Sequence, residues 1–243
     1  MKRLQKFIGV VCLTAVSMLQ ACSNEDGHSL GDIVVDWATV RVEDNTFYLQ
    51  GDGVGSLWLV NTNLGFYRPV DGQRILAYYN PLYDNFEGYD QAVRLLDFRE
   101  ALTKQTDELT EENAAELGND PILIYKGDMG FGGGYMNLIF YQNLPKDLST
   151  KHRISLVEVK TDTDDGYVHL KLLYNTYGDK SGRYVAGLVS FNLDKLEIPD
   201  NTKGFKVQLN SEENGEVEVT FDRRQANQTI NAEGLEFSKM QLE

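Results

Sequence analysis

FKVQLN at positions 205–210 and VEVTFD at positions 217–222 decide the fold class, because both stretches alternate apolar and polar residues without interruption. Such alternation is typical of a β-strand that buries one face and exposes the other. Residues 211–215, SEENG, are polar and end in glycine, so they predict a hairpin loop between the two strands.

The same strand pattern recurs along most of the chain. No long segment has the period of a helix, so a parallel sheet built from βαβ units is not expected. We predict an all-β protein whose second half is an antiparallel β-sandwich. The predicted strands cover residues 38–43, 46–50, 57–60, 74–79 and 92–98 in the first half, and 121–125, 136–142, 154–159, 168–174, 184–193, 205–210 and 217–222 in the second.

One acidic segment interrupts the strands. Residues 103–120 contain six acidic side chains and no aromatic one, and we interpret them as a linker between two domains. Within this linker, residues 110–118 predict one short helix. Thr110 would serve as its N-cap, acidic residues would occupy the first turn, and Gly118 would end it.

The N-terminus has the pattern of a bacterial lipoprotein signal. Residues 1–6 are basic, and residues 7–19 are apolar but too few to span a bilayer, which needs about 20 residues. Ala21 and Cys22 then form a lipobox, so cleavage before Cys22 would leave that cysteine as the lipidation site. The alternative is a secreted protein that carries a cysteine near its cleavage site by chance.

The residues after Cys22 indicate where the protein resides. Residues 23–26, SNED, resemble the surface-export signal of lipoproteins in some Gram-negative anaerobes. We therefore predict a lipid anchor in the outer membrane and exposure at the cell surface. The only other cysteine, Cys12, would leave with the signal peptide, so the mature chain would contain no disulfide and no cysteine metal site.

The charge of the chain narrows the class of partner. The formal net charge is −14, and the loss of Lys2, Arg3 and Lys6 with the signal peptide takes it to −17. A charge this negative opposes binding to nucleic acid and to anionic lipid, and it favours a cationic partner. The predicted partners are the membrane, reached through the N-terminal lipid, and an unknown protein or glycan ligand, with no nucleic acid.

Several short motifs together resemble the NigD-like lipoprotein family. Each is weak alone, but their order and spacing extend from about residue 22 to about residue 222. The resemblance implies an N-terminal OB-like barrel followed by a C-terminal β-sandwich. The family is named from a bacteriocin-associated gene cluster, and the resemblance brings no catalytic residues with it. The motifs are DGHSLGD (26–32), DGQR (71–74), LTK (102–104), GNDPI (118–122), GYMNL (134–138), KHRISLV (151–157), YGD (177–179) and VSF (189–191).

These observations divide the chain into six parts. The two folded modules are joined by the acidic linker and preceded by a segment that the lipid would anchor. The predicted parts are a signal peptide at 1–21, a tether at 22–31, an OB-like barrel at 32–102, the acidic linker at 103–120, a β-sandwich at 121–225 and a polar tail at 226–243.

The three histidines give no sign of a catalytic or metal site. His28 lies in the tether, His152 opens a predicted strand, and His169 lies on the polar face of another. A metal or hydrolase site would need such residues to converge with carboxylates, so structural or solvated roles are favoured. We predict no catalytic residue, no metal and no cofactor.

Two turn-like stretches invite a functional interpretation. The glycine-rich residues 127–134 lack the lysine and hydroxyl residue of a phosphate loop and precede a strand, which favours a hairpin connection. Residues 162–166, DTDDG, begin like a calcium loop, but Tyr167 and Leu173 occupy the positions that need Gly and Glu. A plain hairpin turn is favoured there.

The densest aromatic stretch suggests a ligand surface. Tyr78, Tyr79, Tyr83, Phe86 and Tyr89 lie within twelve residues, and OB-type barrels bind oligosaccharides on an exposed face. We predict a non-enzymatic, surface-anchored binding or interaction lipoprotein, and the resemblance to the NigD-like family implies a link to bacteriocin production or immunity. The alternatives are a glycan-binding lipoprotein and a hydrolase whose carboxylates meet only in the fold.

Overall fold

The computed structural model describes residues 28–223, except residues 30, 45, 62–66, 148 and 162–163. The predictions for the signal peptide, for Cys22 and for residues 226–243 concern residues outside this part. The barrel strands are β1 (Val34–Glu43), β2 (Thr46–Gly51), β3 (Gly55–Asn61), β4 (Arg74–Phe86) and β5 (Tyr89–Glu100). They are followed by β6 (Leu102–Gln105), α1 (Ala114–Leu117), β7 (Met129–Gly132), β8 (Tyr135–Asn143), β9 (Arg153–Glu158), β10 (Tyr167–Asn175), β11 (Tyr184–Asn192), β12 (Gly204–Ser211) and β13 (Gly215–Asp222).

Strands β1–β5 close into a barrel in the order β1-β2-β3-β5-β4, with β4 pairing back onto β1. Alternate residues point inward, so that Val40, Leu49 and Leu57 meet in a fully buried core. Strands β3 and β5 pair in parallel, whereas the other neighbours are antiparallel. Closure removes the free strand edges that an open sheet would expose. The predicted OB-like barrel is confirmed.

The remaining strands form a sandwich of two four-stranded sheets. One sheet has the order β13-β12-β10-β9 and the other β6-β11-β8-β7. Their inner faces meet in a core that includes Phe140, Leu156, Leu170 and Phe191. The predicted hairpin between β12 and β13 is present, with Ser211 opposite Gly215 at its end.

The sandwich is antiparallel in most pairs, and two pairs differ from the expectation. Strands β10 and β12 run parallel, as do β11 and β6. The N–H of Lys203 donates to the carbonyl of Gly166, which places the start of β12 beside the start of β10. Sequence alternation specifies which face of a strand is buried, and it carries no information about the direction of the neighbour.

The structure also corrects the acidic linker. Residues 102–105 form β6 and pair with β11, so the sandwich begins inside the segment predicted as a linker. The helix is shorter than predicted, because residues 111–113 form a turn and Asn113 takes the N-cap position, with Gly118 at the C-cap as expected. Residues 121–125 were predicted as a strand but contribute only isolated bridges at Ile122 and Leu123.

The two modules pack directly against each other. Trp37 and Leu76 of the barrel form one apolar cluster with Ile139, Ala186 and Leu188 of the β6-β11-β8-β7 sheet, and all five are buried. Burial of a leucine or isoleucine side chain at such a contact contributes about 1.5–3 kcal/mol. Among the described residues, no helix is long and apolar enough to cross a membrane.

Candidate functional site: a cleft between the modules

A cleft of about 580 Å³ lies where the barrel meets the open side of the sandwich. The barrel contributes residues 34–37 of β1 and residues 52–54 from the turn between β2 and β3. The sandwich contributes residues 124–132, together with residues of β12 and β13. A volume of this size falls within the range of about 300–1,000 Å³ found for small-ligand binding sites.

The sandwich wall of the cleft is apolar. Phe131 of β7 stacks on Phe205 of β12 with ring centroids 4.1 Å apart and an angle of 4° between the rings, and Phe221 of β13 meets Phe131 edge-on at 5.1 Å. Val217 and Val219 of β13 extend this wall. All five side chains are only partly buried, so the core of the sandwich is accessible from the cleft.

A buried ion pair forms the polar floor of the cleft. Arg74 of β4 is fully buried, and its two terminal nitrogens donate to the two carboxylate oxygens of Asp52 at 2.9 and 2.6 Å. The guanidinium also donates to Thr39 of the barrel and to Asn137 of the sandwich. Since Asn137 in turn donates to Asp52 at 2.9 Å, the network connects the two modules. Both oxygens of Asp52 are therefore engaged.

The buried ion pair explains why residues 127–134 are rich in glycine. Residues 129–132 form β7, and Gly133 and Gly134 turn the chain into β8 at positive φ angles of 56° and 85°. A Cβ atom at Gly132 would lie 2.8 Å from the Asp52 carboxylate, so the close approach of Asp52 requires glycine there. The expected hairpin connection thus includes a short strand, and its glycines make room for a side chain of the barrel.

Two further carboxyl groups line the cleft without a cationic side chain bonded to them. Asp36 accepts a hydrogen bond from the N–H of Gly53 at 3.0 Å, and burial, with the nearby Asp52, raises its pKa to about 6. Burial also raises the pKa of Asp128, and one oxygen of that carboxylate is buried without a hydrogen-bond partner. A ligand with a cation or a hydrogen-bond donor would find acceptors here.

The two modules correspond to a known pair of domains. Residues 37–100 match the NigD-like N-terminal OB domain, and residues 105–223 match the NigD-like C-terminal beta sandwich domain. This chain belongs to the NigD-like family. No curated protein matches the NigD-like chain significantly in sequence.

Solved structures share the whole two-module arrangement of the NigD-like chain. A protein of unknown function from Bacteroides vulgatus ATCC 8482 is 30% identical, with a TM-score of 0.73 over 83% of this chain and 97% of its own. A protein from Parabacteroides distasonis ATCC 8503, named provisionally as toxin related, is 29% identical, with a TM-score of 0.64 over 78% and 92%. A NigD-like immunity protein from Bacteroides caccae ATCC 43185 is 16% identical, with a TM-score of 0.56 over 81% and 99%.

The three histidines of this NigD-like chain contact different groups. His152 is 1% exposed, with Nδ1 2.6 Å from the Tyr174 hydroxyl and Nε2 2.7 Å from the carbonyl of Asp179. Burial lowers its pKa, which suits a neutral, structural histidine. His169 lies 3.1 Å from Asp165 on the surface of the sandwich. Within the described residues, no three His, Cys, Asp or Glu side chains cluster as a metal site would require.

The end of the segment predicted as a tether is attached to the barrel. His28 Nε2 lies 3.1 Å from a carboxylate oxygen of Asp84. The amide nitrogen of Asn80 donates to the carbonyls of Ser29 and Asp32 at 2.8 and 2.7 Å. Because Asn80 is fully buried, these bonds hold the chain against the barrel at residue 29.

The calcium-like stretch contains a carboxylate that is already bound by protein groups. Asp165 accepts hydrogen bonds from Lys206 at 2.6 Å and from the N–H of Tyr167 at 3.0 Å. The hydrogen bond from Lys206 holds the pKa of Asp165 well below its usual range. Asp162 and Thr163 lie outside the described residues.

The aromatic stretch predicted as a ligand surface is divided by the fold. Tyr79 is buried in the barrel core, and Tyr78 packs at the contact between the modules. Tyr83, 63% exposed, stacks on Phe86 with centroids 6.4 Å apart. Tyr89 lies elsewhere, beside Trp58 and Tyr48.

A different aromatic group lies across strands β2, β3 and β5, and the sequence reasoning did not find it. Tyr89 lies 5.0 Å from Trp58 and 5.3 Å from Tyr48 between ring centroids, and all three rings are partly exposed. The three residues come from separate strands. The one available signal was that Tyr48 and Trp58 occupy the outward-facing positions of their strands.

Proposed function

We propose that this NigD-like protein is a lipid-anchored, surface-exposed binding protein that holds a protein partner in the cleft between its modules and catalyses no reaction. The observation that carries the proposal is the apolar wall, which leaves part of the sandwich core accessible. Exposed apolar surface beside a few polar groups is typical of a binding site.

The proposed lipid anchor depends on Cys22. The basic and apolar segments before it and the acidic residues after it are those of an exported lipoprotein. Replacement of Cys22 by alanine should leave the protein uncleaved or release it from the membrane fraction, as measured by fractionation and by protease treatment of intact cells. A Cys22→Ala protein that stays in the outer membrane at wild-type level would refute lipid anchoring.

The partner that fits the charge is a basic secreted protein, such as an antibacterial protein of a neighbouring strain. The chain carries a formal charge of −14, which favours association with a cation. The connection with bacteriocins comes from the family name, and the relative from Parabacteroides distasonis is itself named in connection with toxins. Neutralisation or sequestration of such a protein would be an immunity function.

Affinity capture with residues 23–243 from culture supernatants and envelope fractions tests the proposal. We expect one saturable protein partner whose capture is lost in Val217→Asp, which places a charge on the cleft wall. The control is Val60→Asp, because Val60 is 49% exposed on the outside of the barrel, away from the cleft. Equal capture by both variants would exclude the cleft, and an unchanged sensitivity to secreted proteins after gene deletion would exclude immunity.

Hydrolysis is the less favoured alternative. Asp36 and Asp52 are neighbouring carboxyls in different environments, which is a common arrangement of an acid and a base. However, Arg74 and Asn137 donate to Asp52, and the ion pair with the buried Arg74 favours the charged carboxylate in a structural role. Hydrolysis of any glycoside or peptide by the wild type, abolished in Asp36→Asn, would favour the hydrolase over the binding protein.

A glycan ligand is a second candidate, and the group of Tyr48, Trp58 and Tyr89 favours it. OB-type barrels bind oligosaccharides on the face of their second and third strands, which is where Tyr48 and Trp58 lie. A glycan array probed with the wild type and with Trp58→Ala tests this candidate. Tyr83→Ala is the matched control on the same module, and absence of any signal on the array would exclude a glycan.

A further inference from the structure

Strand β13 leaves one edge of its sheet unpaired in the described part of the chain. It is the last strand in the order β13-β12-β10-β9. The N–H of Arg223 donates to the carbonyl of Lys203, and this bond identifies which residues of β13 are hydrogen-bonded to β12. Because hydrogen-bonded and non-bonded pairs alternate, the backbone groups of Glu216, Glu218, Thr220 and Asp222 point away from β12.

The cleft lies beside this edge. Val217, Val219 and Phe221 of β13 point into the sandwich and are only partly buried, while Phe131 of β7 approaches from the opposite sheet. A strand added next to β13 would continue the sheet. Its inward side chains would then enter the cleft between β13 and β7, because side chains of paired residues share a face.

The charges around the edge select the chemistry of such a strand. The cleft is lined by the carboxyls of Asp36, Asp52 and Asp128, of which Asp52 is paired with Arg74, and by the cations Lys126 and Arg223. On the outer face, the exposed side chains of β13 that would neighbour an added strand are acidic except for that of Thr220. They are those of Glu216, Glu218, Thr220 and Asp222.

We propose that β13 and the cleft together take an extended, basic segment of a partner protein as a fifth strand of the sheet. Apolar side chains at alternate positions of the segment fill the cleft, and lysine or arginine at the positions between them meets the acidic face. Main-chain hydrogen bonds to the edge supply affinity, and the alternating side chains supply specificity. This inference rests on the proposed binding function and names the form of its ligand.

The probe is an eight-residue peptide that alternates lysine with valine or phenylalanine, labelled for fluorescence anisotropy with residues 23–243. Two comparison peptides carry N-methyl groups. In one, they are on the residues whose N–H groups would face β13, and in the other they are on the alternate residues, whose N–H groups would point away. We expect the peptide methylated on the residues that face β13 to bind about tenfold or more weakly, because it lacks main-chain hydrogen bonds. Methylation of the alternate residues should weaken binding far less. A peptide with glutamate in place of lysine should also bind about tenfold or more weakly.

A protein variant tests the same edge. Thr220→Pro removes an N–H that the ladder with β12 does not use, so the fold should persist while strand addition is blocked. Thr220→Ala keeps the N–H and is the matched control. We expect Thr220→Pro to weaken probe binding by about tenfold or more, relative to Thr220→Ala at equal folded fraction by circular dichroism. If the proline variant does not fold, the two methylated peptides still test whether the probe pairs with β13 as a strand.

Three outcomes would overturn the proposal. Equal binding of the two methylated peptides would exclude strand pairing. Binding that appears only after removal of residues 224–243 would mean that the chain's own C-terminal segment is the occupant. Capture of a natural partner that depends on Val217 and is unaffected by Thr220→Pro would preserve the proposed function and reject only the added strand.

Discussion

Removal of the Asp52 carboxylate should destabilise the protein strongly, because it would leave the Arg74 guanidinium buried without its counter-ion. The pair is bidentate, with distances of 2.6 and 2.9 Å, and the side chains are 0% and 10% exposed. Loss of one partner from a buried pair typically costs about 3–5 kcal/mol of unfolding free energy. Thr39 and Asn137 would still accept hydrogen bonds from Arg74, so we expect the lower end, about 3 kcal/mol, for Asp52→Ala.

Calorimetry measures this effect directly. For 150–250 residues, each kcal/mol shifts the melting temperature by about 2–4 °C, so Asp52→Ala should melt about 6–12 °C below the wild type. Asp97→Ala is the control, because Asp97 pairs with Arg99 at a similar distance of 2.7 Å but is 53% exposed. An exposed pair contributes less than about 1 kcal/mol, so the control should melt within about 4 °C of the wild type.

A second substitution separates the unpaired charge from the loss of packing. Arg74→Met combined with Asp52→Ala removes both charges, so the double variant should be less destabilised than the two single effects added together. Equal melting temperatures for Asp52→Ala and Asp97→Ala would refute the reasoning, since they would show that burial of the pair does not matter. Additive effects in the double variant would refute the part assigned to the unpaired charge.

Three other predictions concern the same region and the sandwich core. Gly132→Ala should destabilise the protein by about 1–3 kcal/mol, because its Cβ would meet the Asp52 carboxylate at 2.8 Å, and chemical denaturation measures this; an unchanged midpoint would contradict the close approach. Folding raises the pKa of Asp36 to about 6, so it favours the protonated carboxyl. The contribution of Asp36 to the free energy of unfolding is therefore present at acid pH and is lost as the pH rises through 6. Asp36→Asn should therefore melt above the wild type at pH 8 and show little difference at pH 4, and an equal difference at both values would contradict the raised pKa. Tyr174→Phe should cost about 1 kcal/mol, because it removes the hydroxyl next to His152 Nδ1 while Gln142 stays 2.9 Å from the same nitrogen; a melting temperature equal to that of the wild type would show that the hydroxyl is dispensable.

The strand pattern of the chain could be predicted where side chains alternate. The β12–β13 hairpin was expected from residues 205–222, and its register places Val207 opposite Val219 on the buried side. Strand β7 escaped prediction because its glycines hide the alternation, and β6 because it is short and lies in a charged segment. Both are held in place by neighbouring strands, which a local pattern does not contain.

The cleft could not have been predicted from the sequence. Its walls come from β1, from the turn after β2, from residues 124–132 and from the last hairpin, which are far apart along the chain. The glycine-rich stretch is visible in the sequence, but the need for glycine there depends on Asp52, which lies about eighty residues earlier. Residues that meet only through tertiary packing leave no local signal, and the same reason explains why Trp58 was missed.

The attachment of residue 29 to the barrel limits how far the protein can stand from a membrane. With Cys22 lipidated as proposed, it lies six positions before His28, and a fully extended chain covers at most about 3.6 Å per residue. The connecting segment is therefore no longer than about 22 Å. A partner held by this protein would therefore stay within about 22 Å plus the width of the folded protein from the bilayer, and it could not diffuse into the medium while bound.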